Sequence, residues 1–414
     1  MEINKILDAR EKRSQIIKSY QDNGVISIKA NIPGDNKNLP ISFFLIDLFN
    51  VKIKKIIDIK KEIFISSDDG PYYLMIVNKD EKIKEKLINL EDTHPLGRFI
   101  DLDLFIEKSH SMTRKDLNQP YRKCILCNQD AYICIRRHAH TPYEIIHKIE
   151  EEIKKFINEF VKRACLYELN LEDKFGLVTP TTNGSHPDMN YELMHKAVTI
   201  ITPYFGEMFM VGLKASNLNE AYWQGKLVGL NAEKAMFDAT NNINCYKGLI
   251  FILGLVCISL GYVIYNRQSY NDIFTNIAIM TKDIFHEQKY HTFGEYAFKK
   301  YQFSGARGEA YLGFPNVLKA ISTLKSFKEI NDESLHMTLI SIIKNIDDTV
   351  MLKRAQSIEK YQYFKNLIMQ ISDYNLQQIK DITNTFIKHN ISCGGAADIL
   401  IAALFIYQLE KIFW

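Results

Sequence analysis

Two aspartates separated by one residue, Asp101 and Asp103, have the type and spacing for chemistry. They lie in His94-Pro95-Leu96-Gly97-Arg98-Phe99-Ile100-Asp101-Leu102-Asp103-Leu104-Phe105-Ile106, which alternates from Phe99 onward as a strand does. Ile100, Leu102, Leu104 and Ile106 then share one face and the aspartates the other. Neighbouring carboxylates repel unless a cation lies between them, and the candidates are Mg2+ and the guanidinium of Arg98. With Gly97 letting a phosphate approach the backbone, the set suits metal-assisted phosphoryl or nucleotidyl transfer. An outward strand face that happens to carry two aspartates has the same spacing, so the surroundings decide.

A second group lies towards the C-terminus. In Gly305-Ala306-Arg307-Gly308-Glu309 an arginine between glycines can reach a triphosphate unscreened, and Glu309 can hold Mg2+ or act as a base. Thr292-Phe293-Gly294-Glu295 precedes it. Asn183, His186 and Asp188 share one glycine-containing loop able to bind metal or phosphate; a plain turn explains only its Asn-Gly. Glu233 lies on a helix that runs up to Lys247-Gly248, where an ammonium and the backbone N–H groups of the next helix converge. Asp347-Asp348-Thr349 with Lys353-Arg354, and Gly394-Gly395 at the head of the last helix, complete the set; the glycine pair is a candidate anion cradle.

The elements that must position these residues divide the chain. At 414 residues two domains are expected. The first half intersperses helices (6–19, 41–53, 82–90) with strands (25–30, 62–66, 72–77 and the Asp-x-Asp strand), which reads as an α+β or α/β domain, with α+β taken as the fold class. Beyond it strand-like alternation disappears and helical spacing takes over, so the C-terminal half reads as all-α. Thr141-Pro142-Tyr143-Glu144 starts a long helix as N-cap, first position and third position should, and the domain boundary is placed within it, giving domains 1–155 and 156–414.

Composition excludes some classes. A net charge of +3 does not call for nucleic acid or an anionic membrane as partner, and 46% apolar residues suffice to fill two cores. Seven cysteines, with no secretory signal at Met1-Glu2-Ile3-Asn4-Lys5, point to a reducing cytoplasm. Leu249–Tyr265 is uncharged and only just long enough to span a bilayer; Gly254 and Gly261 interrupt it, and it reads as a buried central helix with no membrane partner. Cys124-x2-Cys127, followed by Cys134, His138 and His140, can be set out as a zinc site. It lacks a second Cys-x2-Cys or a His-x3–5-His pair, which argues against zinc at Cys124, Cys127 and Cys134 and leaves the nearby arginines and histidines to face polyphosphate.

Four motifs in order, Leu7-Asp8-Ala9-Arg10-Glu11-Lys12-Arg13, Asn31-Ile32-Pro33-Gly34 with Lys37, the Asp-x-Asp strand, and Arg122-Lys123-Cys124-Ile125-Leu126-Cys127 through Arg136, make residues 1 to about 155 resemble the apo-citrate lyase phosphoribosyl-dephospho-CoA transferases. The later motifs, in their order, make residues 155–414 resemble the triphosphoribosyl-dephospho-CoA synthases. The resemblance implies that the second half joins ATP to 3′-dephospho-CoA with release of adenine. The first half would then load the product onto a serine of the citrate lyase acyl carrier protein, with Mg2+ as expected cofactor. It implies Glu233, Glu309 and Asp348 as candidate carboxylates and Lys247 and Arg307 as candidate triphosphate ligands. Malonate decarboxylase's carrier, or a helical half that only positions the transferase, are the alternatives. The chain departs from the family where Tyr246 replaces a histidine, where Val350 follows Asp348-Thr349 in place of asparagine, and where a glycine pair after Arg354 is missing.

Overall fold

In the computed structural model every residue is described except 1, 21, 108–109 and 286–292. The chain forms two compact units, Met1–Phe156 with Ile412–Trp414, and Ile157–Lys411. The first contains α1 (Glu2–Ser19), β1 (Gly24–Ala30), α2 (Pro40–Lys54), β2 (Lys61–Ser67), β3 (Gly70–Val77), α3 (Lys82–Thr93), β4 (Ile100–Glu107), β5 (His110–Met112) and α4 (Ala131–Arg137). Helix α5 (Pro142–Asn170) runs through the division between the units.

The strands form one antiparallel sheet in the order β2-β3-β1-β4-β5. Strand alternation sorts its two faces. Ile26 and Ile28 of β1 and Ile100, Leu102 and Leu104 of β4 are buried on the face that α2 and α3 cover, with Phe44, Leu48 and Leu87 packed inside. On the opposite face Ile17 of α1 packs with Val25, Tyr72, Leu74 and Ile76. That second face turns polar at one end, where the register sets Lys29 against Asp101 and Ser27 against Asp103. The aspartate pair thus lies on the α1 side of the sheet, at the rim of an apolar cluster.

The second unit comprises α6 (Tyr191–Lys214), α7 (Leu218–Ala239), α8 (Lys247–Tyr265), α9 (Asp272–Met280), α10 (Phe293–Tyr301), α11 (Gly305–Tyr311), α12 (Pro315–Lys325), α13 (Asp332–Asn345), α14 (Thr349–Ala355), α15 (Ile358–Met369), α16 (Leu376–Lys388) and α17 (Gly394–Phe413). Helix α8 is long and apolar enough to cross a membrane by length and composition, but 78% of its apolar stretch is buried within the structure. It packs against α6, α7, α9 and α11. Helices α8 and α17 are buried along most of their length.

The fold class read from the sequence, an α+β half followed by an all-α half, requires correction. Helix makes up 63% of the described residues, which form one small sheet. The first unit carries α1 to α4 and about half of α5, so helix content does not divide the chain, and the last three residues of the chain group with the first unit. "All-α" describes the C-terminal stretch only in part, because residues 171–190, which bear Asn183, His186 and Asp188, form an irregular loop. The glycine-rich 305–311 segment is itself a short helix, and α15 has only Tyr361, Phe364 and Ile368 buried, too sparse a stripe to read as a helix from sequence.

Candidate functional site

In the first unit the aspartate pair lies among cations. Asp101 is half-exposed and accepts from Nη1 of Arg122. The Nη2 of Arg122 also donates to the carbonyls of Ile100 (2.8 Å), Gly97 (3.1 Å) and Arg98 (3.2 Å), so this side chain clamps the turn that leads into β4. Of the two cations expected between the aspartates, Mg2+ and Arg98, the second points elsewhere: its Nε donates to the Lys123 carbonyl, and its Nη1 is buried without a partner among the described residues. Burial pushes the carboxyl of Asp103 above its ordinary range, against the pull of Lys84. The Nζ of Lys84 is buried and donates to the Leu102 carbonyl at 2.9 Å. Glu91, also buried, accepts from the Leu102 N–H (3.0 Å) and pairs with Arg114 (2.7 Å).

Sequence reading passed over the residue that orders this region. Asp69, in the turn between β2 and β3, is 1% exposed and receives Arg10 (3.1 Å), Arg13 (3.0 Å) and Lys29. Burial opposes its ionisation, but the three cations win and hold its carboxyl below the ordinary range. Burial brings Lys29 down to about 8. Lys37 donates to the Ile32 carbonyl, and burial lowers its pKa while Asp69 and Asp101 pull it up. Arg10, Arg13, Lys29 and Lys37 thus surround one carboxylate beside the aspartate pair, an arrangement suited to polyphosphate. The hard oxygens of Asp101 and Asp103 fit a divalent cation, because Asp103 is desolvated and a nearby positive charge would relieve it.

The second unit gathers the dispersed motifs around the start of α17. The loop 171–190 is pinned there: Ser185 Oγ donates to the Ile391 carbonyl (2.6 Å) and Ser185 N–H to that of Gly176 (2.9 Å). Gly176 has φ +79°, and a Cβ there would run into Ile391, so only glycine fits. His186 bridges Ser392 Oγ (Nε2, 2.9 Å) and Arg354 (Nδ1, 2.7 Å). Since guanidinium only donates, Nδ1 accepts and the ring proton lies on Nε2. Burial, then Arg354, takes this histidine down to about 4, so it is neutral at physiological pH. Asn183 and Asp188 line a cavity of about 420 Å³ with Asn241 and Ile243 from the turn before α8.

Asp348 links two helices. Its Oδ1 accepts from the N–H groups of Val350 (2.9 Å) and Met351 (3.0 Å), capping α14, while Oδ2 accepts from Ala396 N–H (3.1 Å) at the start of α17. The anion at the Gly394-Gly395 cradle is thus the chain's own carboxylate, and a Cβ on Gly395 would crowd it. Gly248 lies against the carboxylate of Asp398, a second residue that sequence reading passed over although it ends the Gly-Gly-Ala-Ala-Asp run. Burial, with Asp348 and Glu168 nearby, holds the Asp398 carboxyl well above the ordinary range. Tyr246, where the resembled family has histidine, is buried with its Oη unpartnered among the described residues.

Lys247 pairs with Glu233 at 2.8 Å, joining α7 to α8. Arg307 pairs with the buried Glu295 at 2.8 Å. Glu309 accepts from the Asn316 backbone (3.2 Å) and Nδ2 (2.6 Å) at the head of α12, and burial raises its pKa. Gly305 abuts Thr349, Asp347 bears electrostatically on Glu309, and Gly308 packs on Ser304, so α11 belongs to the same cluster. Thr292 lies outside the described residues.

Cys124, Cys127, Cys134 and His140 offer ligand atoms that all lie within 4.8 Å of one another. The sequence-based expectation against a metal there does not follow from this geometry. His140 rather than His138 completes the group.

Comparison with known proteins came out in two parts. Residues 1–156 match the family described as apo-citrate lyase phosphoribosyl-dephospho-CoA transferase (CitX). Residues 154–414 match that described as ATP:dephospho-CoA triphosphoribosyl transferase (CitG). Among curated proteins, "Protein CitXG" of Leuconostoc mesenteroides subsp. cremoris is 31% identical over 99% of this chain and 97% of its own length. "Protein CitXG" of Haemophilus influenzae is 28% identical over 97% of this chain and 94% of its own. The 2-(5''-triphosphoribosyl)-3'-dephosphocoenzyme-A synthase of Haemophilus ducreyi is 29% identical over 69% of this chain and 99% of its own.

Proposed function

The chain belongs to the family of fused CitX and CitG transferases, and on that premise we propose a bifunctional, soluble cytoplasmic enzyme that builds the citrate lyase prosthetic-group precursor and loads it onto the lyase acyl carrier protein. The observation that carries this reading is convergence: motifs spread from residue 183 to residue 398 meet at the heads of α8, α14 and α17 through His186–Ser392, Asp348–Ala396 and Gly248–Asp398.

In the proposed synthase step the 2′-hydroxyl of 3′-dephospho-CoA attacks the ribose C1′ of ATP. The C1′–O bond forms, the C1′–N9 bond to adenine breaks, and the triphosphate stays on the ribose. The hydroxyl proton passes to a base, and adenine takes up a proton as it leaves. Asp398 and Glu309, whose carboxyls burial pushes above the ordinary range, are the groups suited to exchange that proton. Lys247 and Arg307 would hold the triphosphate by exchanging their present carboxylate partners, Glu233 and Glu295, for phosphate. Asp348 positions α14 against α17.

In the proposed transferase step a serine Oγ of the carrier attacks the α-phosphorus. The O–P bond forms, pyrophosphate departs, and the serine proton is taken up by a carboxylate. Asp101 and Asp103 would hold Mg2+, which when bound supplies positive charge against the leaving pyrophosphate. Arg10, Arg13, Lys29 and Lys37 orient the phosphates.

Incubation with ATP, 3′-dephospho-CoA, Mg2+ and apo-carrier tests the reading: adenine appears and the carrier gains the mass of the phosphoribosyl-dephospho-CoA group. Neither product would sink it. Asp101→Asn should cut carrier loading at least about a hundredfold with adenine release intact. Lys247→Ala should raise KM for ATP roughly tenfold or more, the loss of one charge-assisted contact.

A further inference from the structure

Between residues 113 and 148 only Cys134 is buried among the described residues. A stretch this long with no apolar core needs some other constraint to keep one conformation. Yet it delivers Arg122 to Asp101 and three backbone carbonyls, so its placement matters to the aspartate pair.

The local geometry supplies the constraint. A tight hairpin is closed by Cys124 N–H to the Gln129 carbonyl (2.8 Å) and Ala131 N–H to the Arg122 carbonyl (2.9 Å). It presents Cys124 and Cys127 from its turn, and the Leu126 N–H donates to Cys124 Sγ at 3.4 Å, as amides do to a thiolate. Cys134 projects from α4, with its Sγ 3.5 Å from that of Cys127. His138 ends α4 in a left-handed turn (φ 46°) and is exposed, while the chain brings His140 back with its Nε2 buried and, among the described residues, unpartnered. Three free thiols and one imidazole nitrogen thus lie within 4.8 Å of one another. With Zn–S near 2.3 Å, tetrahedral ligand sulfurs stand about 3.8 Å apart.

We infer that Cys124, Cys127, Cys134 and His140 form a structural Zn2+ site that holds the 122–140 segment against β4 and so keeps Arg122 on Asp101. All four positions are filled by protein, which makes the site closed and structural. Binding exchanges three S–H bonds for Zn–S bonds, with three protons released to solvent, and the histidine binds neutral. Arg122, Lys123, Arg136 and Arg137, adjacent in sequence, offset the net negative charge of a tris-thiolate centre.

Metal analysis of the full chain, purified under reducing conditions, should find about one zinc per chain. Cys127→Ser/Cys134→Ser and His140→Ala should lose it, whereas His140→Cys and His138→Ala should keep it. Stripping zinc should open tryptic cleavage at Arg122, Lys123, Arg136 and Arg137, and zinc but not magnesium should close it again. Carrier loading by the double variant should fall about tenfold or more, with adenine release within about twofold, which also reports that the chain has folded. The metal content stands apart from the proposed function; only the activity arm rests on it. Zinc well below one per chain, iron in its place, a Cys127–Cys134 disulfide in the isolated protein, or zinc unchanged in the double variant would each overturn the inference.

Discussion

Asp69 shows how one side chain can set a site. A carboxylate that is 1% exposed takes three cations, and those cations are the side chains left facing the aspartate pair. Removing its charge strands Arg10, Arg13 and Lys29 against one another. A fully buried pair broken in this way costs about 3–5 kcal/mol; with Arg10 half-exposed, Asp69→Asn should cost roughly 2–3 kcal/mol. Denaturant titration reads it directly, and a loss under about 0.5 kcal/mol would mean the cluster behaves as a surface ion pair. The same variant should lower carrier loading while sparing adenine release. None of this could be read at residues 67–71, because a Ser-Asp-Asp-Gly-Pro run is an ordinary turn until the fold brings α1 and β1 beside it.

At the scale of elements, the heads of helices carry the second unit. Helices α8 and α17 each begin on glycine-containing steps that face a carboxylate of the chain itself, Asp398 and Asp348. Gly248→Ala forces a methyl group into Asp398. The overpacking should cost about 1–3 kcal/mol and, by displacing that carboxylate, should depress adenine release well beyond any effect on carrier loading. A variant with unchanged adenine release would remove Asp398 from the mechanism. Helix α11 teaches a related lesson. Two glycines in seven residues oppose helix by about 1 kcal/mol each, yet Gly308 lets the backbone close on Ser304 and the helix packs on α8 and α9. Tertiary packing overrides local propensity there.

Over the whole molecule, desolvated histidines tie stability to pH, and His94 in the first unit and His186 in the second carry the largest shifts. Burial takes His94 to about 4, helped by Lys52, and its Nδ1 accepts from the Leu96 N–H at 3.1 Å. Burial with Arg354 takes His186 to about 4 as well. Both lie below the ordinary 6.5, so between about 4 and 6.5 the unfolded chain binds protons that the folded chain refuses. Stability contributed by the neutral rings is complete above 6.5, falls as pH drops through that window and levels off below 4, by up to about 3 kcal/mol for each ring. Denaturation across pH 4–7 should show the fall, and His94→Gln should flatten the part belonging to the first unit. Equal pH slopes in both proteins would refute that assignment.

The amino-acid order alone settled the periodicities: a strand that sets Asp101 opposite to Leu102, an apolar α8, a polar set of motifs in a recognisable succession. These are local properties, since side-chain direction repeats every two or 3.6 residues whatever the rest of the chain does. Which polar group meets which was decided only by the folded chain. Arg122 rather than Arg98 on Asp101, His140 rather than His138 beside three thiols, and Asp348 rather than a ligand at the head of α17 all join residues distant in sequence. Such pairings follow from how burial and charge are satisfied together in three dimensions, and no window along the chain contains them.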